Sequence, residues 1–152
     1  MLANISDLEP MDFAANYGLP AKEHIDALVV DSDAIDCMSV AHIAARSQQL
    51  DIDVTACRSL ADAAGALANR RYDVIYLEYW LDGETTIAFI HEKTRAGTPC
   101  IVVTDLNEPD IRRIAFRAGA QAFLAKDALC PQALESVTLA VLRPQLVARA
   151  AA

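Results

Sequence analysis

The sequence predicts an α/β fold, a parallel sheet of five strands covered on both faces by five helices, and three observations predict it. Short apolar runs without alternation, Ala27 to Val30, Val74 to Leu77 and Cys100 to Val103, read as strands buried on both faces. Stretches of helical period lie between such runs, opened by Asp33, Ser59 or Pro109 and closed by Gly97 or Gly119. The runs then stop at polar side chains, Asp31, Glu78, Thr104 and Lys126, and in open α/β sheets the crevice beyond the strand ends is where ligands bind.

The elements follow in order. Ala27 to Val30 ends at Asp31, and Asp33 caps a helix whose inward side carries Cys37, Val40, Ile43 and Ala44. Ile52 to Cys57 alternates as a strand nearer the sheet edge does, and Ser59 caps a helix through Ala63, Ala64 and Leu67. Asp73 to Glu78 is the central strand, and Leu81-Asp82-Gly83 turns the chain into a helix over Thr85 to Ala96 with Ile87 and Ile90 inward, and His91 or Thr94 as candidates beside them. Cys100 to Val103 precedes a helix with Ile111, Ile114 and Ala115 on one side. Ala122 to Ala125 ends at Lys126, and Pro131 opens a last helix with Leu134, Val137, Thr138 and Val141 on its core stripe, which Pro144 interrupts.

Alternating strands and helices joined by right-handed crossovers give a flavodoxin-like doubly wound sheet in strand order 2-1-3-4-5. Residues 1–24 read as an N-terminal extension, 25–143 as the domain and 144–152 as a short tail. In the extension Leu8, Met11, Phe13 and Tyr17 suit a short docked helix, while Asp7, Glu9 and Asp12 beside Pro10 and Pro20 suit a loosely held acidic arm.

At 152 residues the chain fits one domain. A net charge of -8 and a pI near 4.7 argue against direct contact with nucleic acid. No apolar run is long enough to span a bilayer, so no membrane role and a cytoplasmic location are expected. The four cysteines, Cys37, Cys57, Cys100 and Cys130, form no CxxC pair and suggest reduced, mostly buried thiols.

A parallel sheet gathers its strand ends on one edge, so Asp31, Glu78, Thr104 and Lys126 should meet in a crevice. This constellation, with the segments LVVDSDAID, YDVIYLEYWLDG, CIVVTD and RAGAQAFLAKDAL, resembles the receiver domain of two-component response regulators over about Ile25 to Leu142. The resemblance implies an acidic pair after the first strand, a phosphoacceptor aspartate after the third, a hydroxyl after the fourth and a lysine after the fifth. Asp31, Thr104 and Lys126 match, and Phe123 matches the aromatic switch position.

Two positions depart from the pattern. Ser32 stands where the second acidic residue is implied, with Asp33 one place late, and Glu78 stands at the phosphoacceptor position. Receivers take a phosphoryl group onto a carboxylate beside Mg²⁺, an ion that needs several hard oxygen ligands. Serine removes one anionic ligand, and the extra methylene of Glu78 moves its carboxylate on the order of 1.5 Å outward.

The expectation is a stand-alone pseudo-receiver in a bacterial two-component phosphorelay pathway, not an enzyme, with no cofactor required and any Mg²⁺ bound weakly through Asp31 and Glu78. Glu78 should pair with Lys126 or Thr104 and hold the domain near its signalling conformation without phosphate. One alternative is a receiver that still binds Mg²⁺ and accepts phosphate weakly; a minor one is a small enzyme with Glu78 as base and Lys126 as electrophile. The resemblance implies as partner a histidine kinase, a phosphotransfer protein, another regulator or a second copy. It would meet the face of the fourth helix, fifth strand and fifth helix, where Leu139, Leu142 and Leu146 read as an outward apolar stripe.

Overall fold

The structure, a computed structural model, describes residues 21–151. The expectations for Leu8, Met11, Phe13 and Tyr17 lie outside the described residues. Five parallel strands, β1 (Glu23–Val30), β2 (Leu50–Cys57), β3 (Val74–Leu77), β6 (Cys100–Thr104) and β7 (Ala122–Ala125), form one sheet in the order β2-β1-β3-β6-β7. This is the 2-1-3-4-5 order of the flavodoxin-like form. Helices α1 (Ala34–Ala44), α2 (Leu60–Asn69), α3 (Ile87–Arg95), α4 (Pro109–Ala118) and α5 (Pro131–Ala151) cover it.

β3 sits at the centre because Val74, Ile75, Tyr76 and Leu77 are all fully buried. Its odd and even side chains enter different cores: Ile75 and Leu77 join Phe89, Ile90 and Ala115 on one face, while Val74 and Tyr76 join Val40, Leu134 and Leu142 on the other. Burying one such aliphatic side chain stabilises the fold by about 1.5–3 kcal/mol, so both layers hold the β3 tip in place. The Tyr76 hydroxyl lies 2.7 Å from Thr138 Oγ1, satisfying a phenol that burial pushes up to about 12 in pKa.

Local chemistry ends the elements where the sequence implies. Asp33 Oδ1 accepts from the Ile35 and Asp36 amides at 2.8 and 3.3 Å, and Ser59 Oγ accepts from Asp62 N at 3.0 Å. Gly119 closes α4 at φ 115, where a Cβ would also meet Thr94 Cγ2 at 3.0 Å. A hairpin follows β3: β4 (Trp80–Leu81) pairs antiparallel with β5 (Glu84–Thr85) across Asp82 and Gly83, both at positive φ.

Several expectations are corrected. β1 begins at Glu23, so His24 is a strand residue and not part of an extension. α5 continues through Pro144 to Ala151, and Arg149 donates to the Asp73 carboxylate and, at 3.4 Å, to the His24 carbonyl. Leu142 is fully buried, and Leu139 and Leu146 pack partly buried against the same core. They make no outward stripe, because α5 meets both the sheet and α1 and needs a wider apolar arc than one stripe supplies. Ile114, placed inward from its spacing, is 39% exposed, while the smaller Ala115 fills the contact. Phe89, not His91, joins Ile90 in the core.

All four cysteines are unbridged, and three are buried; burial raises the Cys100 thiol to about 11. Among the described residues no helix is long and apolar enough to cross a membrane.

Candidate functional site

Two strand ends and the first turn of a helix converge on Lys126. This residue begins the single turn of 3-10 helix Lys126–Ala128 immediately after β7, and its ammonium lies 2.7 Å from Asp31 Oδ2, 2.7 Å from Asp36 Oδ2 and 2.6 Å from Glu78 Oε2. Asp31 is set at the end of β1 by its amide, which donates to the Cys57 carbonyl at 3.1 Å. Glu78 is set by its own amide on the Val30 carbonyl at 3.0 Å.

The other Glu78 oxygen is also fully engaged. Oε1 accepts from the Tyr79 amide at 2.8 Å, from the Trp80 amide at 3.3 Å and from the Thr104 hydroxyl. Thr86 closes the loop behind it, its hydroxyl donating to the Glu78 carbonyl at 2.8 Å. The longer side chain thus bridges from the tip of β3 to β6 and to the turn after β7. A charge-assisted bond on each oxygen makes this arrangement specific.

Burial sets the electrostatics. It lifts the Asp31 carboxyl above its ordinary 3.8, and the hydrogen bond from Lys126 offsets that only in part, because one ammonium serves three carboxylates. For Lys126 burial favours the neutral amine, yet the hydrogen bonds to Asp31, Asp36 and Glu78 together outweigh it and raise its pKa. Lys126 is therefore a fixed cation, and burial makes Asp31 take a proton more readily than a solvated aspartate does.

The remaining predicted residues have other work. Asp33 is exposed and caps α1, and its amide donates to Asp31 Oδ1 at 3.0 Å. The Ser32 carbonyl accepts from Arg58 Nε and NH2 at 3.2 and 2.9 Å. Phe123 is buried beneath the site with the Arg112 guanidinium 5.5 Å from its ring centroid. Asp36 and Arg58 were missed. Asp36 carries a signal in retrospect: it lies three residues after the cap, in the first turn of α1, the end of that helix that abuts the crevice.

A cleft of about 360 Å³ opens above Glu78, lined also by Trp80, Thr104, Asp105 and Leu106. The donor set does not fit a magnesium ion, which demands near-octahedral oxygen ligands. Asp31 and Glu78 both give an oxygen to the Lys126 ammonium, which stands between them, and Asp33 is committed to a helix cap.

The family model for the response regulator receiver domain matches residues 27–138. The chain belongs to that family. None of the curated proteins is a significant sequence match. Among solved structures, this receiver is similar to a two-component response regulator from Clostridium difficile at 22% identity, TM-score 0.69, over 78% of this chain and 96% of that one. A response regulator receiver domain from Mycobacterium tuberculosis matches at 21% identity and TM-score 0.65, over 76% and 97% of the two chains. NtrX from Brucella abortus matches at 21% identity and TM-score 0.73; 84% of this receiver corresponds to 29% of that longer chain. At these identities the likeness is one of fold.

Proposed function

We propose that this receiver is a pseudo-receiver that signals by protein contact without aspartyl phosphorylation, the Glu78 carboxylate making the contacts a phosphoryl group would otherwise make. The observation that carries the reading is the double engagement of Glu78, with Thr104 on one oxygen and Lys126 at 2.6 Å on the other. Both groups sit at the strand ends where the family pattern puts its hydroxyl and lysine. No Mg²⁺ is required for this contact, since the Lys126 ammonium already engages the Glu78 and Asp31 carboxylates directly.

An enzymatic role is disfavoured by the same geometry. Lys126 is held charged and surrounded, and Glu78 has no oxygen left to take a substrate proton without losing a bond. Contact is supported by apolar side chains left exposed on α4, Ile114 at 39% and Phe116 at 41%. The partner is a protein, whether a kinase, a phosphotransfer protein, another regulator or a second copy, met in the cytoplasm through α4 and its neighbours β7 and α5.

The test is incubation with acetyl phosphate and Mg²⁺ followed by intact mass. An unchanged mass is the expected result. Stoichiometric addition of one phosphoryl group would favour the receiver that still accepts phosphate, for which the open cleft above Glu78 leaves room.

A further inference from the structure

We infer that the opposite rim of the sheet carries a divalent transition-metal site formed by His24, Asp26 and Asp53. The ligand atoms of these three residues all lie within 4.8 Å of one another. They belong to adjacent parallel strands in fixed register, His24 opposite Asp51 and Asp26 opposite Asp53. Alternation puts His24 and Asp26 on one face of β1, and the cross-strand pairing brings Asp53 of β2 to the same face.

Two features separate this group from an ordinary acidic patch. The first is the histidine and its orientation. His24 Nδ1 lies 3.0 Å from Asp51 Oδ2, a residue outside the ligand trio, and Nε2 faces Asp26 Oδ1 at 3.1 Å. A carboxylate on the far nitrogen is the arrangement that holds a metal-bound imidazole in its tautomer, with Nδ1 donating to Asp51, and an ion would replace the present Nε2–Asp26 contact by bonding to both atoms.

The second is the direct opposition of Asp26 and Asp53. Like charges facing each other across a strand pair destabilise it, and a dication between them turns that repulsion into a clamp on the edge strand. The Arg70 guanidinium, 3.3 Å from Asp26 Oδ1 and stacked 4.6 Å over the Tyr72 ring, is the competing cation and must yield to a metal. Asp26 itself is fixed from below, since its amide donates to Asp73 Oδ2 at 2.8 Å.

The donors name the class of ion. One imidazole and two carboxylates on an exposed rim suit zinc, manganese, cobalt or nickel better than magnesium or calcium, which prefer all-oxygen shells. Three protein ligands leave the remaining positions to water. The site is remote from Lys126, at the N-terminal instead of the C-terminal ends of the strands.

Isothermal titration of the untagged protein with zinc chloride tests the assignment, beside His24→Ala, Asp53→Asn and Asp51→Asn. The expected result is one saturable site that the first two substitutions abolish and that Asp51→Asn weakens by about 10- to 100-fold. Cobalt should broaden amide resonances of residues 24–26 and 51–53 first. The inference fails if the wild type shows no saturable binding, or if binding survives His24→Ala and Asp53→Asn unchanged. Circular dichroism of each variant, whose changes lie at the surface, checks that a loss is not unfolding.

Discussion

One ammonium facing three carboxylates makes Lys126 the residue whose removal should cost most. Lys126→Met would leave Asp31 and Glu78 buried without their cation, and breaking a buried pair in this way costs about 3–5 kcal/mol. Urea denaturation should register that loss; a change under 1 kcal/mol would mean the cluster contributes little. Because its folded pKa lies above 10.5, the Lys126 contribution is complete below that pH and is lost as pH rises past it. Asp31 carries the same sign in a lower window. With a folded pKa above 3.8 it holds its proton more tightly folded than unfolded, so its ionisation opposes folding as pH rises through the folded value. Carboxyl-carbon NMR should place its midpoint above 3.8, and a midpoint below it would contradict the burial argument.

At the scale of elements, α5 separates what the sequence told from what it hid. Leu142 was legible as apolar but not as buried, because helical spacing gives angles and not the number of surfaces a helix meets. Leu134, Thr138 and Leu142 drift by about 40° per step of four residues, and a helix lying on both the sheet and α1 buries the whole arc. Leu142→Glu should therefore unfold the domain instead of merely dissociating it, with a loss above about 3 kcal/mol, since truncating such a site alone costs 2–5. Phe116→Glu on α4 should leave the melting temperature within about 2 °C, as surface changes do, while weakening association measured by analytical ultracentrifugation. Pro144 was misread because a proline inside a helix is normally a break; here Leu146 packing and Arg149 on Asp73 hold the turn beyond it. Arg149→Ala should accelerate amide exchange in residues 145–151 and nowhere in β3.

For the whole molecule, strand order and the rim of polar strand ends were readable because buried parallel strands advertise themselves as unbroken apolar runs that stop at chemistry. Glu78, Thr104 and Lys126 follow from that rule alone. Asp36 did not, since it comes from a helix's first turn, and neither did the His24 rim, which needs the register between β1 and β2. Replacing Glu78 and Ser32 together by aspartate should shorten the central carboxylate and restore an acidic pair, giving Mg²⁺-dependent phosphoryl transfer from acetyl phosphate that neither single change gives. Most direct is an amide NMR titration of the unmodified receiver with beryllofluoride and Mg²⁺. Glu78 standing in for the phosphoryl group predicts no saturable shifts at residues 78, 104 and 126, and saturable shifts at those three residues would contradict it.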